Sequence, residues 1–439
     1  MSQEDFLEAS PKRELSLFDS ICIIVGIIIG AGIYETAPTV AGCLGSESGL
    51  LAIWLAGGLL ALTGALCYAE LATAYPRQGG DYVYLTRAYG RWAGYMFGWS
   101  QLAVVRPGDI ALMAFIFARY AQTLHAPLDN SGLFYAAAAI ALLTGINILG
   151  VKAGKWTQNL LTVTKILGML AIIIVGWSAP APAAAPDRPE AFTWGSLQLA
   201  LILVLFTFGG WNEMAYVAAE IKRPQQNIVR ALVIGTLAVT GLYLLINGAF
   251  LSALGLAGMS RSQAVAVDTV GKVFPEAAAR AIAVLICISA LGAVNGLIFT
   301  GARISYALGA DHRSFRPLGT WHPRLGTPVS ALLVQGGLSL AIVMAAGSFI
   351  DTILYTAPVV WLFFLGTGLS VFVLRRKEPH FTRPYKVAAY PLTPLVFAAS
   401  CTFMFYSSVS YALANTPLGL LLLAGVLLVG MLVYRGTAS

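Results

Sequence analysis

Three groups of residues stand out against long apolar runs, and each could do chemistry. The stretch IVGIIIGAGIYETAP (24–38) holds Gly26, Gly30 and Gly32 inside seven residues, with Ile27 and Ala31 between them and Glu35 and Pro38 directly after. The stretch LILVLFTFGGWNEMAYVAAE (201–220) has Gly209-Gly210 at its centre, with Phe206 and Phe208 before the pair and Asn212 and Glu213 after it. Isolated charges complete the set: Lys165 in TVTKILGML (162–170), and Arg106 and Asp109 around Pro107 in VVRPGDIA (104–111). Glycine costs about 1 kcal/mol against alanine inside a helix, yet small residues also mark close helix packing in membranes. Each cluster alone therefore fits either packing or a helix break. An ammonium in an apolar run either snorkels to a polar boundary or has a specific role inside the membrane.

The elements that carry these residues are membrane spans. The 439-residue chain is 58% hydrophobic and 11% charged, with mean hydropathy +0.77. Soluble domains run at about 45–50% apolar and about 25% charged, so the composition is that of a polytopic membrane protein. Spans of roughly 20 apolar residues are predicted near 17–42, 48–74, 92–121, 132–149, 157–177, 196–219, 230–251, 278–308, 327–346, 349–374, 388–410 and 415–434. Of the 27 Lys and Arg, nineteen then fall on the side of the N-terminus, five on the opposite side, and Arg106, Lys165 and Arg303 inside spans. By the positive-inside rule both termini are cytoplasmic. The 178–195 and 252–277 gaps read as external linkers. The N-terminus lacks the pattern of a cleaved signal peptide.

The same composition excludes other classes. A net charge of +7 does not mark a nucleic-acid binder, because no polar domain carries a basic patch. Cys22, Cys43, Cys67, Cys287 and Cys401 lie in or beside apolar runs without paired spacing and read as small buried thiols. His125, His312, His322 and His380 fall in loops with no helix-spaced ligand pair, so no metal, cofactor or catalytic residue is expected. His312 and His322 flank a cytoplasmic turn and read as solvated. A phosphate-binding loop ending in Gly-Lys-Ser/Thr and a repeated filter are absent, against an ATP-driven pump or a channel.

The two glycine clusters lie five spans apart, so their helices enter the membrane from opposite sides. Paired interruptions at matching positions of two halves point to the substrate site of a secondary transporter. Unwound backbone is tolerated at membrane depth only where protein or a wet cavity surrounds it. Free N–H groups at the start of a half-helix bind an anion, and free carbonyls can take an ammonium. Together they suit the zwitterion of an α-amino acid.

The quoted stretches resemble the amino acid–polyamine–organocation superfamily, whose first span carries a Gly-small-Gly motif after an isoleucine-rich run. AELATAYPRQGGDYVYLTRAYG (69–90), VVRPGDIA (104–111), FGGWNEM (208–214), NGLIFTGARISYALGADH (295–312) and LRRKEPHFTRPYKVAAYPLTP (374–394) extend the likeness, in order, toward the L-type amino acid transporters. That resemblance implies an all-α membrane fold of twelve helices, a leucine-transporter-type 5+5 inverted repeat with broken helices 1 and 6. The parts would be a cytoplasmic tail (1–16), a first repeat (17–177), a second repeat (196–374) and two peripheral helices (388–434). It further implies that the backbone of Gly30, Ala31 and Gly32 holds the substrate carboxylate. The carbonyls of Ile27 and Phe206 would face the amino group, Gly209 would leave room at the α-carbon, and Phe206 would gate the site. Ala31 stands where many relatives carry serine, so one hydroxyl contact is missing. Lys165 would take the place of Na⁺ in sodium-coupled relatives or serve as a titrating group, and either role makes transport sodium-independent.

The remaining polar residues have less specific readings. Arg106 and Asp109 read as an internal ion pair holding a proline-bent helix, with substrate contact as the alternative. Glu35 faces the external vestibule, whereas Glu70, Glu213 and Arg303 suit structural or gating salt bridges near cytoplasmic span ends. Asn212, and more weakly Asn295, are site candidates. Lacking an unpaired acidic residue aimed at a cation, the centre favours a neutral side chain. The reading is a transporter of L-amino acids across the cell membrane by alternating access, in exchange or facilitated mode. A proton-coupled symporter and a transporter-like sensor are the alternatives. Partners are the amino acid and the bilayer. The external loop 123–132 lacks the cysteine through which animal L-type members join a single-span glycoprotein, so no disulfide-linked heavy chain is expected. Oligomeric state is not legible.

Overall fold

The computed structural model describes residues 11–125, 131–180, 193–345, 349–415 and 417–438. Most of the N-terminal tail, the centre of the 178–195 linker and half of the 123–132 loop lie outside them. Among the described residues the secondary structure is helical, apart from two isolated bridges, Leu15–Ile221 and His322–Thr327.

The chain runs through α1 (Leu17–Ile28), α2 (Gly32–Gly42), α3 (Glu47–Ala74), α4 (Asp81–Tyr89), α5 (Arg91–Leu124), α6 (Ser131–Ile148), α7 (Val151–Ser178) and α8 (Trp194–Thr207). It continues through α9 (Glu213–Tyr216), α10 (Pro224–Arg261), α11 (Val265–Gly271), α12 (Ala278–Asp311), α13 (Val329–Ala345), α14 (Phe349–Lys377), α15 (Leu392–Asn415) and α16 (Pro417–Ala438). Among the described residues, eight helices are long and apolar enough to cross a membrane. The α1–α2 pair forms a ninth if taken as one span bent by 50°, and three shorter apolar helices lie at Gly132–Ile148, Trp194–Thr207 and Val329–Met344. The protein is a multi-pass membrane protein.

Local chemistry sets the breaks and starts. Ser16 caps α1 in a capping box with Asp19, which satisfies amides that a helix start leaves open. Asp19 also accepts from Asn159 (2.6 Å) and Lys155 (3.2 Å), fixing α1 on α7. In α5 a π-helical turn, Gln101–Val105, precedes Arg106-Pro107. Proline brings no amide donor, and the widened turn re-aims the helix at that point.

Burial separates centre from rim: 83% of the apolar window of α12 is buried, against 17% for the last helix. Further ion pairs bind the charge-rich ends of the spans. Arg303 pairs with Glu220 at 2.8 Å with both side chains enclosed, and Gln78 donates to the same carboxylate at 2.7 Å. Glu70 is held by Arg375 (2.6 Å) and by the backbone N–H of Val387 (2.6 Å). Arg87 and Glu378 meet at a half-exposed position. Beside the Arg303 pair, Leu15 exchanges backbone hydrogen bonds with Glu220 and Lys222, at 2.9 and 2.8 Å. The segment before α1 is thereby sewn to the segment after α9.

The reading of His312 needs correction. It is buried, its ring packed edge-on against Tyr95 and near Tyr434. Burial, with Arg91 nearby, pushes its imidazole below the usual range. A loop position next to a helix end looks solvated in sequence, but the end of α12 here sinks between aromatic neighbours.

Removing one partner of a buried pair costs about 3–5 kcal/mol, whereas an exposed pair contributes about 0–1 kcal/mol. Arg303→Met is therefore expected to lower the melting temperature in detergent well beyond Arg87→Met. Equal shifts would contradict the role given to the Arg303–Glu220 pair.

Candidate functional site

The first break follows from which backbone groups lose their helical partners. In a continuous helix the carbonyls of Gly26, Ile27, Ile28 and Ile29 would accept from the amides four residues on. Here the amide of Gly30 turns back to Ile28 O (2.8 Å), and the next amide with a backbone acceptor is Tyr34, on Ala31 O (3.0 Å). The N–H groups of Ala31, Gly32 and Ile33 have no backbone acceptor among the described residues.

Lys165 takes up the released carbonyls. It is 1% exposed, which rules out snorkelling. Its Nζ donates to Gly26 O (2.7 Å), Ile29 O (2.9 Å) and Ser289 O (2.9 Å), using all three of its donors. Ser289 Oγ also donates to Ile29 O (2.9 Å). The Tyr243 hydroxyl donates to Ile28 O (3.0 Å) and lies 3.3 Å from Thr207 O at the second break. Of the four carbonyls, Ile27 O is left without a backbone or side-chain donor among the described residues. One acceptor and three donors thus remain at the first break.

The second break lies between α8 and α9. Phe208 N–H still reaches Val204 O, but Gly209 N–H turns to Phe206 O (3.0 Å) and α9 restarts with Glu213 N–H on Gly210 O (3.2 Å). Gly210 has φ +111°, a region side chains rarely adopt. A Cβ there would lie 2.8 Å from Ile27 Cγ2, so the two breaks touch at this point. The hydroxyls of Thr36 and Thr207 meet beside it at 3.0 Å.

Between the breaks lies a cavity of about 200 Å³. Ile27, Ile28, Gly30 and Gly32 line it from the first break, and Phe206, Thr207 and Gly209 from the second. α5 contributes Asp109, Leu112 and Met113, α12 contributes Ala293 and Leu297, and α14 contributes Ala357, Val360 and Trp361. Phe206 is 43% exposed, which leaves its ring free at the cavity edge. Pockets for small ligands have this character, apolar walls with few polar groups.

Five of the expected substrate-binding residues line the cavity: Ile27, Gly30, Gly32, Phe206 and Gly209. The others lie elsewhere. Gly30's own amide is engaged by Ile28 O, which shifts the free amides to residues 31–33. Ala31 is fully buried and could contribute only backbone. Phe208 packs against Trp54 and Tyr243, and Asn212 donates to the Tyr216 hydroxyl at 2.7 Å. Asn295 belongs to a buried polar chain with Asn147 and Gln158, 2.9 Å from each.

The expected Arg106–Asp109 pair does not form. Arg106 makes a two-pronged pair with Glu213, both contacts 2.8 Å, and donates from Nε to Gln101 Oε1 at 2.9 Å. Thr300 donates to the same Glu213 carboxylate (2.6 Å), and the guanidinium lies over the Tyr216 ring. The fork geometry of arginine favours a carboxylate approached end-on across the bundle over one three residues along its own helix. Asp109 is left facing the cavity, so the centre does hold an acidic residue with no ion-pair partner among the described residues. Glu35, exposed, pairs with Arg119 and accepts from the Tyr120 hydroxyl at 2.9 Å.

The sequence reading missed Tyr243 and the apolar wall of Leu112, Met113, Val360 and Trp361. A buried tyrosine and ordinary span residues carry no glycine or charge signal. No group of three His, Cys, Asp or Glu that could hold a metal occurs among the described residues.

A Cβ at Gly30 would meet nothing nearer than Gly32 N at 4.0 Å, whereas one at Gly210 is blocked by Ile27. Gly30→Leu is expected to fold and to lose the thermal stabilisation that a bound amino acid gives. Gly210→Ala should lower ligand-free stability by about 1–3 kcal/mol. A Gly30→Leu protein stabilised like wild type by the same ligand would remove this cavity from the account.

A family model described as "Amino acid permease" matches residues 15–432. The b(0,+)-type amino acid transporter 1 of Oryctolagus cuniculus is 33% identical over 387 residues, covering 86% of this chain and 79% of the relative. Large neutral amino acids transporter small subunit 2 of the same organism is 32% identical over 418 residues, covering 90% and 77%. Asc-type amino acid transporter 1 of Mus musculus is 33% identical over 402 residues, covering 88% and 75%. These relatives are amino acid transporters by name. With a likeness that spans nearly the whole chain and two broken helices facing one cavity, the protein belongs to the amino acid permease family of the amino acid–polyamine–organocation superfamily, among its L-type members.

Proposed function

We propose that the protein is a sodium-independent secondary transporter of L-amino acids in the cell membrane, working by alternating access as an exchanger or facilitator. Its twelve spans would be the eight long helices, the bent α1–α2 pair and the three shorter apolar helices. These would form a 5+5 inverted repeat plus two peripheral helices, with both termini cytoplasmic. The observation that carries the reading is the set of backbone groups left over at the first break. The N–H groups of Ala31, Gly32 and Ile33 stand at the positive end of α2, and Ile27 O is open beside the cavity. That set complements a carboxylate and an ammonium one carbon apart.

In this mechanism the substrate carboxylate sits on the 31–33 amides and its ammonium on Ile27 O, with Phe206 O as second acceptor. Phe206 swings over the bound molecule. Uncharged side chains suit the Leu112, Met113 and Trp361 wall. Lys165 places its amino group on the carbonyls of the break, so no Na⁺ is needed to hold the backbone open. Opening to the cytoplasm requires parting the Arg303–Glu220 pair and the Leu15 backbone bridge, while Glu35 and Arg119 guard the opposite side.

Proteoliposome uptake tests this reading. Uptake is expected to depend on internal amino acid or on the substrate gradient alone, to be the same in sodium and choline buffers, and to fail in Lys165→Ala. Sodium-dependent uptake, or unchanged transport by Lys165→Ala across pH, would contradict it. Uptake into empty vesicles driven by an imposed pH gradient would instead assign proton symport.

A further inference from the structure

We propose a second amino-acid site at the charge-rich end of the bundle, beside the Arg303–Glu220 pair, whose occupancy holds that end shut. Which side of the membrane it faces, and the part played by that pair in opening, rest on the reading proposed above. A second cavity, of about 300 Å³, lies there between α4 and α12, against about 200 Å³ between the two breaks. It has room for a whole amino acid.

The polar groups on its wall carry both signs of charge. Arg77, exposed in the link before α4, has no hydrogen bond or ion pair on its guanidinium among the described residues. Arg87, also on the wall, is committed to Glu378 and lies over the Tyr75 ring. At the end of α12 the Asp311 carboxylate accepts from the Tyr82 hydroxyl (3.0 Å) and has no ion-pair partner among the described residues. Gln78 is 7% exposed, and its Nε2 donates to Glu220 (2.7 Å) while its Oε1 has no hydrogen-bond partner. A simple anion here would meet Asp311, and a simple cation would meet Arg77. A zwitterion answers both, its carboxylate on the guanidinium fork and its ammonium toward Asp311 and Gln78 Oε1. Val83, Ala219 and Ala307 offer an apolar wall to its side chain.

The same contacts connect the site to the closed end. The link before α4 lies flat on its neighbours: Gly79 N–H donates to Tyr216 O (3.0 Å), and a Cβ at Gly79 would stand 2.7 Å from the Ala307 side chain. Gln78, Glu220 and Arg303 already tie this link to α12. A ligand joining Arg77 to Asp311 ties the same two segments a second time. A molecule that binds only the closed arrangement stabilises it by mass action. Because Arg77 and Asp311 are exposed, water and salt screen their attraction. The site is therefore weaker than the central one and fills only at high cytoplasmic concentration, so it inhibits transport from the inside.

The test measures initial uptake of labelled L-leucine into right-side-out membrane vesicles preloaded with rising concentrations of unlabelled L-leucine. Uptake by vesicles lacking the protein is subtracted. Wild-type uptake is expected to rise with internal leucine and then to fall by roughly half or more as the second site fills. Arg77→Ala and Asp311→Asn, checked for folding by size-exclusion profile, are expected to keep the rise. Their fall should need roughly tenfold more internal leucine, the loss of one charged hydrogen bond. Wild-type uptake that never falls overturns the inference. A fall unchanged in both variants assigns it to the central cavity and overturns it as well. A fall reproduced by internal potassium phosphate at low leucine makes this an anion site, again overturning it. Each of these three results leaves the transporter reading in place, whereas vesicles that take up no leucine overturn the inference and the neutral-substrate reading together.

Discussion

A helix opened at membrane depth has no water to satisfy the groups it releases, and the rest of this site depends on how Lys165 meets that constraint. The break frees the carbonyls of Gly26 and Ile29 from the amides of Gly30 and Ile33. One ammonium takes both, with Ser289 O as third acceptor. Neutral donors could in principle do the same, but a charged donor makes stronger hydrogen bonds. A donor carried by the chain itself also needs no ion to arrive or leave. The charge is carried on α7 and tied to α1 and α12, so the break is coupled to the helices around it.

The second constraint is proximity. Gly210 lets the two breaks approach until its missing side chain is replaced by Ile27. Tyr243 spans both with one hydroxyl. Movement of either half-helix is therefore felt by the other. The Arg106–Glu213 pair extends the coupling from α9 to the π-helical turn of α5. Asp109 lies on the same helix as that pair, so the cavity wall and the coupling element share one rigid piece.

Much of the helical membrane fold was legible in the sequence, because span length and glycine clusters are strong one-dimensional signals. The breaks at Gly30 and Gly209 were visible for the same reason, and so was Lys165, a charge in an apolar run. What sequence could not resolve was direction. Whether Arg106 reaches Asp109 three residues along or Glu213 across the bundle depends on packing. The near choice looked natural and was wrong. The free amides moved from 30–32 to 31–33 because Gly30 folds back on Ile28 O, a local turn with no residue signature. Asn212 and Phe208 sit close to the break in sequence but face away from the cavity, toward Tyr216 and Trp54. His312 looked solvated because loops usually are.

The central claim is that an amino acid is held by backbone that the first break releases. A structure of the protein with a bound amino acid tests it most directly. The account predicts the substrate carboxylate within hydrogen-bond distance of the Ala31, Gly32 and Ile33 amides, its ammonium at Ile27 O, and Lys165 still on Gly26 and Ile29. A substrate bound away from these amides, or a Lys165 that leaves the break carbonyls to contact the ligand, would contradict it.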